Sequence, residues 1–287
     1  MNRMVGIGLI TVSAASFGTL AIIGRYAYAD GMDVTTVLFL RFSFSALFML
    51  TWLRLRREPM PDRRTLLELA GMGGLGYVAQ SFCFMSAIQY ASAGLVALLL
   101  YLYPTFVALL SVIFLKARLT PVRLSALALA TAGAALTANP QGGQLPGVLL
   151  AIAAAAIYAV YIIVGTGVMR KVSAVQSSTV IFIAAGLVFG GLTALSGPHW
   201  PATSAGWMAI VAITAVATII PVITFLAGLK IIGPTDAALL STLEPVVTVV
   251  LAALLFGELI RPAMMLGGGL ILGAVVLLAV NRDQKVV

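Results

Sequence analysis

The chain consists of one unit of five long apolar segments that occurs twice, with the second copy offset by 141 residues. Because each copy has an odd number of segments, a chain that crosses a bilayer with every segment places its second copy upside down. The repeat therefore predicts two inverted halves, residues 1–139 and 147–287, joined by an outer linker of residues 140–146. The 141-residue shift superimposes Gly6 on Gly147, Gly24 on Gly165, Phe84 on Phe225, Pro104 on Pro245, and Pro121 on Pro262.

The composition requires a lipid environment for most of the chain. Hydrophobic residues make up 61% of the 287 residues and charged residues only 9%, whereas about a quarter of an ordinary soluble domain is charged. A membrane span needs about 20 mostly apolar residues. We predict an all-α membrane protein with ten transmembrane helices, arranged as two inverted five-helix repeats around a central cavity. The spans are expected near residues 5–24, 34–53, 66–87, 92–115, 122–138, 147–168, 175–196, 205–228, 235–256 and 262–280.

The basic residues predict the orientation of the chain. If the N-terminus is inside, only Arg25 and Arg261 fall outside, and Arg41 lies within a span. By the positive-inside rule, both termini are then cytoplasmic. The rule also accounts for the net charge of +8 without a nucleic-acid partner. The remaining basic residues, all predicted to be cytoplasmic, are Arg3, the five arginines from Arg54 to Arg64, Lys116, Arg118, Arg123, Arg170, Lys171, Lys230, Arg282 and Lys285.

Residue patterns typical of enzymes are lacking in the sequence. The one histidine, His199, lies in a predicted outer loop, and the one cysteine, Cys83, lies in an apolar segment. No His, Cys, Asp and Glu cluster has metal-ligand spacing, and no serine has a base nearby in sequence. The run Gly71–Gly76 fits a G-x-G-x-x-G pattern, but a dinucleotide site needs a preceding strand, and this run lies within a span. We expect no catalytic residue, no metal and no cofactor.

Three prolines interrupt predicted spans. Pro104 and Pro245 lie near the middles of the fourth and ninth spans, at equivalent points of the repeat, and Pro221 lies in the eighth. Each proline deprives the carbonyl four residues earlier of its helical partner, and in lipid such a carbonyl must be satisfied by protein or by water in a cavity. The prolines are predicted to act as hinges that line a cavity, with a structural kink as the alternative. The freed carbonyls belong to Leu100, Ala217 and Ser241.

Two charges are predicted to lie deep in the membrane. Glu244 directly precedes Pro245, and Arg41 lies near the middle of the second span. A charge at mid-bilayer costs about 2.5–3.5 kcal/mol on insertion scales, so each must be paired or hydrated, or the carboxylate protonated. One interpretation gives both residues a structural role. In the other, Glu244 faces a water-filled pathway and meets a substrate amine or a proton.

Aromatic and polar residues recur on helix faces near these charges. Tyr77, Gln80 and Phe84 follow i, i+3, i+7 spacing in the third span. A cavity lined by tyrosine and glutamine suits a substrate with an apolar body and a zwitterionic head. Comparable pairs are Ser13 with Phe17 and Tyr158 with Tyr161, while Tyr101 and Tyr103 stand just before Pro104.

Several motifs resemble those of the drug/metabolite transporters of the EamA type. They are Phe39-Leu40-Arg41-Phe42, Ala237-Ala238-Leu239-Leu240-Ser241-Thr242-Leu243-Glu244-Pro245 and Phe256-Gly257-Glu258. Within that superfamily, the run Tyr101-Leu102-Tyr103-Pro104 makes the chain most similar to bacterial YddG-type aromatic amino acid exporters. The resemblance implies alternating access between two inverted halves and efflux of amino acids across the bacterial inner membrane. Tyr103 stands where the family often has a second glutamate, so two symmetric carboxylates are not expected.

Together these observations predict an exporter of amino acids, including aromatic ones, that works at a midplane cavity. Other small metabolites, nucleobases or drugs remain alternative substrates, and a non-transporting membrane scaffold is the alternative of another class. The expected partners are a small-molecule substrate and the lipid bilayer, and a monomer is expected to suffice. The predicted hinges are Pro104, Pro221 and Pro245. The predicted substrate-binding residues are Phe17, Tyr77, Gln80, Phe84, Tyr101, Tyr158, Ser241, Thr242 and Glu244.

Overall fold

The first half of the chain is helical throughout its described part. A computed structural model describes residues 3–90, 96, 99–117, 120–137, 144–256 and 262–280, and no strand occurs among them. A π-helical segment, Met72–Tyr77, joins α4 to α5. The helices of this half are α1 (Arg3–Gly18), α2 (Leu20–Ala29), α3 (Val34–Leu55), α4 (Arg63–Gly71), α5 (Val78–Tyr90), α6 (Tyr103–Leu115) and α7 (Pro121–Thr137).

The second half repeats this order with one clear difference. Its first span is the unbroken helix α8, whereas the first span of the chain is divided into α1 and α2. A second π-helical segment, Ala215–Ile219, joins α10 to α11. The helices are α8 (Leu145–Val168), α9 (Ala174–Ser196), α10 (Ser204–Thr214), α11 (Ile220–Ile232), α12 (Pro234–Ser241), α13 (Glu244–Phe256) and α14 (Pro262–Val280).

Six helical stretches of the described chain are long and apolar enough to cross a membrane. Tyr103–Leu115 and Met265–Leu277 are shorter apolar helices. The multi-pass helical architecture is therefore confirmed, while the count of ten spans stays a prediction. Most of the predicted linker lies outside the described residues, as do Gly257, Glu258 and the residues after Val280. The six long stretches are Arg3–Ala29, Val34–Leu55, Leu145–Val168, Ala174–Ser196, Ser204–Ile232 and Pro234–Leu255.

Helix packing follows the internal repeat. α1 packs on α11, and α5 packs on α8. These two contacts are equivalent, because α8 corresponds to α1 and α5 corresponds to α11 in the repeat. The matching positions are small or close-packed in both contacts. A Cβ on Gly228 would lie 2.7 Å from the Ile10 side chain, and the equivalent residues Ala87 and Ala151 share one buried cluster. Two further large contacts pair equivalent helices, namely α3 with α9 and α7 with α14, and α6 of the fourth span packs on α12 of the ninth. A two-fold relation between the copies produces this pairing.

Polar contacts gather the basic helix ends at one end of the bundle. Lys171 Nζ lies 2.7 Å from Glu68 Oε2, and Lys230 Nζ donates to the Val172 carbonyl at 3.5 Å. The described Lys- and Arg-rich connections of the two halves therefore meet on one side, as the positive-inside interpretation requires. That this side is cytoplasmic stays a prediction.

Neutral and acidic contacts join the helix ends at the opposite side. The Asp30 carboxylate accepts hydrogen bonds from the Ala202 amide at 2.7 Å and from the Thr203 hydroxyl at 2.6 Å. The Thr203 hydrogen bond holds the pKa of Asp30 below its usual value. Gln144 also bonds to Tyr90 at this end, with the Gln144 amide 3.0 Å from the Tyr90 carbonyl. The two halves are thus fastened to each other at both ends of the bundle.

The glycines of the Gly71–Gly76 run serve helix packing. A Cβ on Gly73 would lie 2.5 Å from the Ile181 carbonyl oxygen on α9, whereas a Cβ on Gly74 would meet only side-chain and backbone atoms at 3.7 Å or more. Since backbone cannot yield as a flexible side chain can, α9 approaches the π-helical segment this closely only because residue 73 is glycine. Within the dinucleotide-like pattern, Gly73 is therefore the glycine that close packing requires.

We predict opposite effects for alanine at these two neighbouring glycines. Gly73→Ala should destabilise the fold by about 1–3 kcal/mol through overpacking, seen as a lower thermal unfolding temperature in detergent. Gly74→Ala is the matched control and should unfold at or slightly above the wild-type temperature, since alanine favours helix. Equal behaviour of the two variants would contradict the close contact with α9.

Candidate functional site

Two helix breaks lie at equivalent points of the two copies. The fourth predicted span breaks at residues 101–102, before α6, and the ninth breaks at residues 242–243, before α13. The turns match bond for bond: the Leu102 amide donates to the Leu99 carbonyl, and the Leu243 amide donates to the Leu240 carbonyl, both at 3.2 Å. Pro104 and Pro245 follow as the second residue of each new helix, a position that needs no helical amide. The structure therefore shows breaks where the sequence predicted kinks or hinges.

The hydroxyl groups around the ninth-span break satisfy its carbonyls. Ser241 donates to the Ala237 carbonyl at 2.9 Å and Thr242 donates to the Leu239 carbonyl at 2.6 Å. Tyr103 reaches across from α6 and donates to the Ala238 carbonyl at 3.3 Å. The hydroxyl protons of the predicted site residues Ser241 and Thr242 are thus used within their own helix, so each offers a ligand only its acceptor lone pairs.

A third break, which the sequence did not predict, lies against the ninth-span break. α1 ends at Gly18 and α2 begins at Leu20. A Cβ on Gly18 would lie 2.8 Å from the Glu244 carbonyl oxygen, and the Thr248 hydroxyl donates to the Gly18 carbonyl at 2.9 Å. No proline marks this position, and Gly18 is the only local signal that could have suggested it.

Glu244 lies at the centre of these breaks. It is the first residue of α13 and is partly exposed. Within the described residues its carboxylate makes no hydrogen bond and no ion pair. Arg41 and the hydroxyl groups of four tyrosines are close enough to interact with it electrostatically, namely Tyr77, Tyr101, Tyr103 and Tyr158. A carboxylate at this depth is costly without a partner, so its surroundings suit a ligand or a proton.

Arg41 has protein partners and acts as a clamp. Its side chain is 5% exposed, and its Nε donates to the Thr218 hydroxyl at 2.6 Å while Nη2 donates to the Ala217 carbonyl at 3.3 Å. Ala217 is the carbonyl that Pro221 deprives of its helical partner. The Pro221 carbonyl in turn accepts from Ser13 at 2.8 Å. Arg41 therefore satisfies a carbonyl that would otherwise be orphaned in the membrane.

The two π-helical segments occupy corresponding parts of the third and eighth spans but are held differently. Ala215–Ile219 is fastened by Arg41, whereas Met72–Tyr77 packs against α9 and has Phe182 at the position equivalent to Arg41. π-helical turns inside α-helices are frequent at functional sites. In the second copy polar groups hold the irregular turn, whereas in the first copy aromatic packing holds it.

Aromatic rings form a continuous row from the fourth-span break to Arg41. The ring of Tyr103 lies 4.9 Å from that of Tyr158, Tyr158 lies 6.1 Å from Tyr161, and Tyr161 lies 5.6 Å from Tyr77. Tyr77 meets the edge of Phe42 at 5.4 Å, and the Arg41 guanidinium stands 5.0 Å from the centre of the Phe42 ring. The row brings the predicted residues Tyr77 and Tyr158 together, and Tyr101 joins them through its neighbours Tyr103 and Tyr158.

The other predicted site residues lie less centrally. Phe17 is partly buried against the main core. Phe84 packs instead against a separate small cluster that contains Ala87 and Ala151, so the described contacts do not bring it to the tyrosine row. Gln80 accepts a hydrogen bond from Ser81 at 3.4 Å. No group of three or more His, Cys, Asp or Glu side chains that could hold a metal occurs in the described chain.

The helix pattern and the sequence agree with one transporter family. The sequence profile of the EamA-like transporter family matches the chain twice, over residues 4–139 and 145–280. The chain belongs to the EamA-like transporter family. The two matched ranges are offset by 141 residues at both ends, which is the same offset that superimposes the two copies of the sequence.

Individual relatives carry the name of transporter without a substrate. The chain is 29% identical over 272 residues to an uncharacterized transporter of Archaeoglobus fulgidus, covering 95% of both chains. It is 25% identical over 281 residues to the uncharacterized transporter YcbK of Bacillus subtilis, covering 91% of this chain and 88% of YcbK. A solved crystal structure matches 99% of this chain and 100% of its own with a TM-score of 0.81. At 22% identity that likeness shows the fold alone.

We predict that Arg41 mainly stabilises this family member's fold. Arg41→Met removes the donors to the Ala217 carbonyl and the Thr218 hydroxyl, and each buried polar group left unpaired costs about 1–3 kcal/mol. The variant should unfold at a clearly lower temperature in detergent, whereas Arg54→Met, an exposed arginine on the same helix, should not. Wild-type thermal stability of Arg41→Met combined with lost transport would show instead that the arginine acts on the substrate.

Proposed function

We propose that the protein exports amino acids, including aromatic ones, from the cytoplasm across a bacterial inner membrane. The observation that carries this proposal is Glu244, a partly exposed carboxylate without a protein partner in the described chain, beside four tyrosines. A carboxylate binds an ammonium group, and tyrosine rings bind an apolar or aromatic body. The family membership, which establishes a transporter, does not choose among substrates.

The proposed mechanism is alternating access between two inverted halves, residues 1–139 and 147–287, in a monomer. The breaks before α6 and α13 lie in the middle of their spans, where transporters of other folds also place discontinuous helices. A broken helix bends at its turn with little loss of hydrogen bonding, because the amides there already form short-range turns. In this mechanism Pro104 and Pro245 keep the breaks open, and Pro221 shapes the π-helical segment that Arg41 clamps.

The same site would also accept amines that lack a carboxylate. Transport of drugs, nucleobases or other metabolites is therefore among the possible results of the assay described below. A non-transporting scaffold would need a large interaction surface outside the membrane, and the short described connections offer little of one. A counterflow assay in proteoliposomes, with labelled phenylalanine and a panel of unlabelled competitors, separates these possibilities.

We predict that Glu244→Gln weakens recognition of the substrate amine. A hydrogen bond to a charged group contributes about 1.5–3 kcal/mol, so the transport efficiency for phenylalanine should fall by about tenfold or more. Glu68→Gln, which alters a surface carboxylate bound to Lys171, is the matched control. Both variants should elute as folded protein in detergent. Unchanged transport by Glu244→Gln would remove Glu244 from the site.

A second prediction concerns the helix breaks. Pro104→Ala and Pro245→Ala restore an amide and replace a residue that is about 3 kcal/mol less favourable than alanine in a helix interior. A continuous helix in place of the break should slow transport several-fold, measured as the initial transport rate. Substrate affinity, measured by equilibrium binding, should change little. Pro262→Ala at the exposed start of α14 serves as control. Wild-type rates in both break variants would exclude a hinge role.

A further inference from the structure

The two mid-membrane breaks differ in charge although their backbones match. α13 begins with Glu244, so a negative charge stands at the positive end of its helix dipole. α6 begins with Tyr103 and Pro104 and has no acidic residue in its first turn. The positive end of α6 is therefore not compensated by a carboxylate of its own. The 141-residue repeat has thus produced two helix ends of different electrostatic character.

Tyr101, two residues before the start of α6, has a buried hydroxyl group without a partner in the described chain. Tyr101 is 8% exposed, and its hydroxyl makes no hydrogen bond within the described residues. Among described side-chain atoms that are fully enclosed, only the hydroxyls of Thr193 and Thr214 lack a partner. The Tyr101 oxygen therefore keeps some accessible surface. Its electrostatic neighbours are Glu244, Tyr103 and Tyr158.

Tyr103 has already used its one hydroxyl proton, which leaves Tyr101 for a ligand. Tyr103 donates to the Ala238 carbonyl, and Arg41 donates to Ala217 and Thr218. Burying an unbonded hydroxyl costs free energy, and a ligand oxygen at this point would recover it. Tyr158, half-buried beside Tyr101, likewise makes no hydrogen bond within the described residues and offers a second donor to the same point.

We propose that the site is bipolar and recognises both ends of a zwitterionic α-amino acid. The ammonium group binds Glu244, and the carboxylate binds at the N-terminus of α6, where Tyr101 donates a hydrogen bond with Tyr158 beside it. The substrate side chain lies along the row of tyrosine rings. This inference rests on the proposed function and adds the basis on which an amino acid is preferred to a simple amine.

The test separates the two ends of the substrate chemically. Purified wild-type protein and variants are titrated with L-phenylalanine, with 2-phenylethylamine, which lacks the carboxylate, and with 3-phenylpropionate, which lacks the amine. The wild type should bind phenylalanine about tenfold or more tightly than either analogue, since each loses one charge-assisted hydrogen bond of about 1.5–3 kcal/mol. Tyr90→Phe, at an exposed tyrosine outside the site, is the control for loss of a phenol group.

The variants show which residue binds each end of the substrate. Tyr101→Phe should weaken phenylalanine binding about tenfold and leave 2-phenylethylamine unchanged. Glu244→Gln should weaken binding of phenylalanine and of 2-phenylethylamine and leave binding of 3-phenylpropionate unchanged. If Tyr101→Phe does not fold, Tyr158→Phe takes its place in the comparison. It should weaken binding only of the ligands that have a carboxylate.

Two results would overturn the inference in distinguishable ways. If the wild type binds and transports phenylalanine but the tyrosine variants weaken phenylalanine and 2-phenylethylamine equally, the bipolar site is wrong and the amino acid exporter stands. If the wild type neither binds nor transports phenylalanine and moves another member of the competitor panel, the proposed substrate class is wrong and the bipolar site fails with it.

Discussion

The constraint on which this bundle depends is that a carbonyl without its helical partner finds no water in the hydrocarbon core. Four carbonyls at described irregularities of the spans accept a hydrogen bond from a side chain of another span. Arg41 donates to Ala217 below Pro221, Ser13 donates to the Pro221 carbonyl, Tyr103 donates to Ala238 at the ninth-span break, and Thr248 donates to Gly18 at the first-span break. These long-range bonds hold the breaks in place and at the same time bring spans 1, 2, 4, 8 and 9 together at mid-membrane. The core of the bundle is therefore organised by its irregular backbone.

The internal repeat places irregular backbone in pairs, and divergence between the copies makes the members of a pair unlike. Gln80 in the third span corresponds to Pro221 in the eighth, and Arg41 in the second span corresponds to Phe182 in the seventh. In the fourth and ninth spans, Tyr103 corresponds to Glu244. In the last two of these pairs one member carries the charge and the other carries aromatic surface. A symmetric bundle with identical halves would offer a ligand the same chemistry twice, whereas these substitutions create a polar side and an aromatic side within one site.

Sequence reasoning succeeded where the physical cause is local. Proline lacks an amide, so Pro104 and Pro245 predicted interruptions that the structure shows as complete breaks, and Pro221 predicted an orphaned carbonyl at Ala217. Hydropathy predicted the long spans for the same reason, because twenty apolar residues in a row are informative by themselves.

The partner of the orphaned carbonyl was not predictable, because Arg41 reaches it from a span 176 residues away in the chain. The first-span break depends on the close approach of Gly18 to Glu244 and has no sequence signature beyond one glycine. Phe84 followed the same helical spacing as Tyr77, yet it lies two turns further along α5 and packs in another cluster.

In the proposed site, the separation of Arg41 from Glu244 leaves the carboxylate available to a ligand. Two opposite charges this close in a low-dielectric interior would gain strongly by pairing, and a buried pair that loses one partner is destabilised by several kcal/mol. A ligand amine would then have to displace the guanidinium and leave it uncompensated. In this bundle the guanidinium instead donates to Thr218 and Ala217 and lies against the Phe42 ring. Pro221, by freeing the Ala217 carbonyl, supplies the acceptor that keeps the arginine there. In the proposed site, a proline in the eighth span therefore affects the availability of a carboxylate in the ninth, which connects two features that look unrelated in the sequence.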